Sequence, residues 1–248
     1  MRSDVAALYV DPRGPYPKLV EHWYDEKRDA RTYAGPWPVV AHPPCGPWAN
    51  LRHLTRGDWT EVKQLAPIAI GQVRKWGGVL EHPAGSTLWT IAGLPAPWPP
   101  QQDEYGGFTC EVEQCAWGHP ARKRTWLYCV GVDIDLMIAT VRKGGTPTHW
   151  CSGGRTKRPG MGATVPPGIK VCSAQQRRRT PVAFAEWLLS LAASVTMAAC
   201  SSRPAPPVPA DAGSECAECW MRCGEATSRK EASLCAWQCG LLCESEGR

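Results

Sequence analysis

At 248 residues, with 43% hydrophobic and 21% charged side chains, the chain has the composition of a globular protein. It is long enough for one α/β domain with a substantial core, or for a smaller domain plus an appendage. No apolar run is long enough to cross a bilayer as a helix. The net charge of +5 is uneven, because five Lys/Arg oppose seven Asp/Glu from Cys200 onward, leaving −2 there and +7 on residues 1–199. Gly and Pro, 24 of each, predict many turns and few long helices, and 13 Trp against 2 Phe make tryptophan the main aromatic packing residue.

In chain order, Ala6 to Val10 reads as a buried strand closed by Asp11 and the turn Pro12 to Pro17. Val20 to Tyr24 reads as a second strand closed by Asp25, and Asp29 to Gly35 as a polar connection. Pro38-Val39-Val40-Ala41 is a short strand running into Pro43-Pro44-Cys45. Asp58 to Trp76 has the apolar spacing of a helix, with Val62, Leu65, Ala66, Ala69, Ile70 and Val73 on one side. Pro67 inside it predicts a kink or a second start, and Gly77-Gly78 a stop. Gly78-Val79-Leu80 is the next strand, followed by Glu81-His82-Pro83. Ser86 to Gln102 reads as Pro-rich loop. Gly107 to Glu113 and Thr125 to Val132 read as strands flanking a basic turn. Residues 142–180 predict irregular surface. Thr180-Pro181 should start a last helix, Thr180 as N-cap and Pro181 as first helical residue, with Phe184, Trp187, Leu188 and Leu191 docking on the sheet. Strands alternating with helix-length connections predict an α/β fold, a mostly parallel sheet with helices on both faces.

Two of these strands deliver chemistry in the same way. Prolines end each apolar run, since they cannot donate to a ladder, and place Cys45 and Glu81 at the carboxyl edge where ligands of open α/β sheets collect. Cys45 is the candidate nucleophile and Glu81 the candidate acid. His42, His82 and His119 are candidates for lining the same pocket. Cys110, Cys115 and His119 lack a standard zinc spacing and a close fourth ligand, so no metal is predicted.

Taken in order, these pieces resemble the catalytic core of DNA cytosine-5 methyltransferases, in a reduced, bacteriophage-like version with a Rossmann-like core over roughly residues 5–195. Val40 to Cys45 is similar to the family's Pro-Pro-Cys nucleophile loop, Glu81-His82-Pro83 to its carboxylate motif, and Gln114 to Thr125 to its basic motif. The resemblance implies S-adenosylmethionine as cofactor, held by Asp11, Gly14, Asp25 and Pro43. It implies Cys45 attacking carbon 6 of a flipped or unpaired cytosine, Glu81 protonating ring nitrogen 3 with its pKa raised by burial, and Arg122 and Arg124 holding phosphates. DNA is the implied partner. The chain departs from the pattern in three places: a single glycine among prolines after the first strand, Ala121 beside the arginines, and no room for a target-recognition domain between Val132 and Thr180. The alternative reading is an inactive, methyltransferase-shaped DNA-binding or regulatory protein.

Basic clusters at Arg122 to Arg124, Arg155 to Arg158 and Arg177 to Arg179 suit phosphate contact. Met1 is followed by no export sequence, so the expected location is the cytoplasm. A Pro/Ala-rich linker at 200–214 should separate domain 1–199 from a Cys-rich helical hairpin at 215–248. There, paired Cys219/Cys223 and Cys235/Cys239, with Cys216 and Cys243 outside them, could form nested bridges in an oxidising compartment. Leu191 to Cys200 resembles a lipoprotein signal, and an internal start at Met161 would expose it.

Overall fold

The computed structural model describes residues 4–49, 59–99, 101–151 and 168–195. The cysteine hairpin, its linker and the signal-like stretch ending at Cys200 lie largely or wholly outside these residues. The described part is an α/β fold. Its strands are β1 (Ala6–Leu8), β2 (His22–Tyr24), β3 (Val39–Ala41), β4 (Gly78–Pro83), β5 (Gly107–Glu113) and β6 (Arg124–Val130). They form one sheet in the order β2-β1-β3-β4-β6-β5. The first four run parallel, and β6 lies antiparallel between β4 and β5. A separate parallel pair joins β7 (His149–Trp150) to β8 (Lys170–Val171).

The two-residue alternation of a strand sorts the sheet into two cores. Ala7, Val40, Val79, Leu127 and Cys129 face one side. There they meet α6 (Val182–Ala193) through Phe184, Trp187, Leu188 and Leu191, together with Tyr16 from α1 (Tyr16–Leu19). Ala6, Leu8, Val39, Ala41, Leu80 and Tyr128 face the other side, against Ala66, Ala69, Ile70 and Val73 of α2 (Thr60–Trp76). Tryptophan supplies the aromatic packing as expected, with Trp117 set 4.6 Å from Trp187 and 5.2 Å from Phe184. Among the described residues no helix is long and apolar enough to cross a membrane.

Several expectations shift. Pro67 is accommodated inside one helix, with no second start. The run after Leu80 is not a strand end, for β4 continues through Glu81 and His82 because β6 pairs with it residue by residue. The stretch read as loop from Ser86 contains α3 (Thr87–Ile91), whose N-cap is Ser86, its hydroxyl accepting from the Leu88 amide. Asp133 caps α4 (Ile134–Thr140) in the same manner. The region expected to be irregular holds β7, β8 and α5 (Ala174–Arg178), the last begun by a Ser173/Gln176 capping box. The last helix starts one residue late, with Pro181 itself as N-cap and no side-chain cap.

The α2–β4 junction fixes the register that matters for function. Gly77 ends α2 with φ 74°, its amide bonding the Val73 carbonyl, and Gly78 follows at φ 116°. A Cβ at Gly78 would run into the backbone of Val39. Only glycine combines that dihedral with that approach of β3 to β4. Gly78→Ala should therefore lower stability by about 3 kcal/mol or more, read as a reduced urea midpoint at unchanged slope. An unaltered midpoint would contradict this account of the junction.

Candidate active site

Parallel pairing places the site. Ala41 is registered with both Leu8 and Leu80, so one residue further on His42 stands beside Glu81. Alternation puts both on the α6 face, with Val40 and Val79. The strand order reverses between β1 and β3, the topological switch point where open α/β folds place their ligands, and His42 at the end of β3 borders it. The chain marks the spot with strain: Tyr9, just past β1, has φ 59°, anchored by its hydroxyl to Gln72 Oε1 at 2.9 Å.

A hydrogen-bonded chain runs through the site. His42 Nδ1 donates to Glu81 Oε2 at 3.0 Å, and His42 Nε2 accepts from the Tyr16 hydroxyl at 2.6 Å. Gln114 Nε2 donates to Glu81 Oε1 at 3.0 Å and to Thr125 Oγ1 at 3.0 Å, and Thr125 passes its own proton to the Lys123 carbonyl. Each carboxylate oxygen of Glu81 thus has its own donor. The side chains of His42 and Glu81 are only 12% and 11% exposed.

This network corrects the expected protonation state of Glu81. Burial does push the carboxyl up, and it is the largest single influence. The hydrogen bond from His42 and the charge of Lys123, helped by the neighbouring histidines, together outweigh it and hold Glu81 down at about 2. Glu81 therefore rests ionised. His82, on the opposite face against Trp89, is almost wholly buried, and neither ring nitrogen makes a hydrogen bond of normal geometry. Burial lowers it to about 4, against the pull of Glu81. Both folded values lie below their ordinary ones, so the folded protein binds fewer protons than the unfolded chain. The His82 contribution is complete above about pH 6.5 and lost as pH falls through about 4. That of Glu81 is complete above about 4.5 and lost toward about 2.

Cys45 follows directly. The ladder ends with the His42 amide on the Leu8 carbonyl at 3.0 Å, and Pro43 and Pro44 then have no amide proton to offer. Cys45 opens a one-turn 3-10 helix at Gly46–Trp48, and its carbonyl accepts from Trp48 and Ala49. Gly46 leaves no room for a Cβ beneath the Trp59 ring. Buried Trp48 anchors the loop, its carbonyl accepting from Thr87 Oγ1 at 3.0 Å and Ser86 Oγ at 3.4 Å. The loops after β3 and β4 are therefore tied together. Cys45 is reachable by solvent, yet the protein around it still desolvates the thiol. That desolvation, followed by the charge of Glu81, raises its thiol pKa, and Lys123 and Arg178 only partly offset the rise. It rests as a thiol.

The remaining sequence candidates are placed as follows. Asp11 and Gly14 share the turn after β1, the Gly14 amide bonding the Asp11 carbonyl, while the exposed Asp11 carboxylate is gripped by Arg13. Asp25 is buried after β2, with Oδ1 accepting from the Arg28 amide, and Pro43 is buried beside the site. Arg122 and Arg124 are not joined to the network. They are exposed and paired across the β5–β6 ribbon with Glu113 and Glu111. The cations whose charge reaches Cys45 are Lys123, at φ 40° with its ammonium on the Arg179 carbonyl at 3.1 Å, and Arg178. His119 is bound to the Ala121 amide and the Gln176 carbonyl, and Cys115 lies near the Gly144 carbonyl. Among the described residues no cluster suits a metal. A cleft of about 440 Å³ between β5 and α4 contains none of Cys45, Glu81 or His42.

Sequence reading missed Tyr16, Gln114 and Thr125 as members of the site. The polar signal for Gln114 was there, a glutamine directly after a strand, but its partner emerges only once β5, β6 and β4 are laid side by side. The chain matches no known protein-family profile, no curated protein and no solved structure.

Because Glu81 raises the Cys45 thiol, removing its charge should lower it. In Glu81→Gln, alkylation of Cys45 near pH 7, followed by peptide mass spectrometry, should be several-fold faster than in the parent, since thiolate fraction changes tenfold per pKa unit. An equal or slower rate would place the two groups beyond each other's electrostatic reach.

Proposed function

We propose that the protein is a DNA cytosine-5 methyltransferase-like enzyme in which Cys45 is the nucleophile and Glu81 the proton-managing acid. The observation that carries this reading is the delivery of an accessible thiol and a carboxylate by adjacent parallel strands beside the switch point, close enough that one charge shifts the other's pKa. Carbon 5 of cytosine is unreactive until a nucleophile adds to carbon 6, and the addition is favourable only if ring nitrogen 3 takes up a proton. The resting site holds one proton on Cys45 and none on Glu81. Attack by sulfur therefore releases as many protons as nitrogen 3 requires. The Glu81 carboxylate, backed by His42 and Gln114, takes up that proton and presents it to the ring. Neutralising Glu81 in this way also removes the charge that suppresses the thiolate, so the two steps favour each other.

S-adenosylmethionine would supply the methyl group. The acidic ends of β1 and β2 flank the crevice on the side away from β4, and buried Asp25 is a fitting acceptor for ribose hydroxyls. Asp11, Gly14, Asp25 and Pro43 are the residues assigned to hold it. A base inside a duplex hides carbon 6, so the substrate is a flipped or unpaired cytosine. Lys123 and Arg178 are assigned to its phosphates in place of Arg122 and Arg124, whose guanidinium groups already have carboxylate partners.

A second reading, a methyltransferase-shaped DNA-binding or regulatory protein without turnover, draws support from the Arg13 grip on Asp11 and from the fully bonded Glu81 carboxylate. Single-stranded DNA carrying 5-fluorocytosine separates the two, because fluorine cannot leave after attack. With S-adenosylmethionine present, the enzyme reading expects a denaturation-resistant protein–DNA adduct that disappears in Cys45→Ser. DNA binding without an adduct would support the inactive reading.

A further inference from the structure

A pair of thiols, Cys151 and Cys172, lies outside this site. Cys151 and Cys172 each follow one strand of the small parallel sheet, and the pairings His149 with Lys170 and Trp150 with Val171 make them the next partners in register. The Cys172 amide bonds the Trp150 carbonyl at 3.0 Å, carrying the ladder to that point. Neighbouring parallel strands are spaced within the Cα range that disulfides need. The two sulfurs are 3.1 Å apart and both thiols are free. Cys172 is 3% exposed and Cys151 half-buried, so one thiol of the pair can be reached from solvent.

We infer that Cys151 and Cys172 are a redox modification site, closing a disulfide that staples β7 to β8. The reaction needs a low-molecular-weight disulfide as oxidant. The Cys151 thiolate attacks one of its sulfurs and expels a thiol, forming a mixed disulfide. Cys172 then attacks the Cys151 sulfur and expels the second thiol. The protein loses two electrons and two protons, and the oxidant gains both. Lys123 and Arg177 favour the Cys151 thiolate, but burial and the neighbouring Cys172 raise its pKa more strongly, so closure is slow at neutral pH and quickens as pH rises.

The staple has a definite target. Thr148 and His149 donate to the Pro120 carbonyl, Ala121 bridges to His149, and the Gln176 carbonyl meets His119. The small sheet and α5 are thereby docked on the segment 119–123, which ends in Lys123. Locking β7 to β8 fixes the unit that holds the cations beside Cys45. The inference concerns sulfur chemistry alone and stands whether or not the protein transfers methyl groups.

The test is to incubate the folded full-length chain with millimolar oxidised glutathione, cap remaining thiols, digest with trypsin and map by mass spectrometry. The expected product is peptide 144–155 linked to peptide 171–177, lighter by two hydrogens than the sum of the separate peptides. In Cys151→Ala, Cys172 should instead remain cappable. The oxidised parent should melt about 5–10 °C higher than the reduced one, as expected for closing a loop of this length. Recovery of both peptides as separate glutathione adducts, as free thiols, or linked to other cysteines would overturn the inference. So would a linked form that melts no higher than the reduced one.

Discussion

The site depends on one electrostatic constraint, a buried carboxylate satisfied from two sides. Glu81 is taken out of water by the sheet, and an ionised acid there is tolerable only because His42 and Gln114 each donate to one oxygen and Lys123 adds positive charge. Those partners come from three different segments: the end of β3, the residue after β5, and the turn into β6. The carboxylate is thus a clamp between segments. It ties the parallel half of the sheet to the antiparallel ribbon at the edge where Cys45 emerges.

From that clamp the state of the thiol follows. Burial, and then the neighbouring charge of Glu81, keep the Cys45 thiol protonated, so it is not permanently activated. A hydrogen-bonded line from Tyr16 through His42 to Glu81 gives the acid a fixed orientation and His42 a fixed tautomer. Such pre-set geometry suits the proposed cytosine chemistry, in which proton and nucleophile would have to arrive on one small ring together. The basic residues nearest the thiol come from the 119–123 turn and α5, two pieces joined by the bond from Lys123 to the Arg179 carbonyl.

Much of this was readable in the residues. Prolines 43 and 44 end a ladder for lack of amide protons, and that alone put Cys45 at the carboxyl edge. The apolar spacing of α2 and its Gly77-Gly78 stop were plain, as was the alternation that gives a two-faced sheet. What could not be read was whatever depends on lateral pairing. Glu81 reads as a residue after a strand because apolarity stops at Leu80, whereas β6 carries the ladder on to Pro83. Its low pKa depends on His42 and Lys123, which are more than thirty residues away along the chain. Phosphate contact by Arg122 and Arg124 is what the family resemblance implies, and clustered charge visible in the sequence points the same way. Their ion pairs with Glu111 and Glu113 are cross-strand contacts, visible only once β5 faces β6. Short helices capped by Ser86, Asp133 and Ser173 were missed for a different reason: each is too short for its periodicity to stand out, and only the cap residue announces it.

The measurement that bears most directly on the account is a carbon-13 NMR titration of the Glu81 side-chain carboxyl, assigned by comparison with Glu81→Gln. A clamp built from His42, Gln114 and Lys123 keeps the carboxylate ionised well below its ordinary value of 4.5, so its shift should stay at the anionic value down to below pH 4. A transition at or above pH 4.5 would mean that burial dominates and that these partners do not hold the carboxylate ionised.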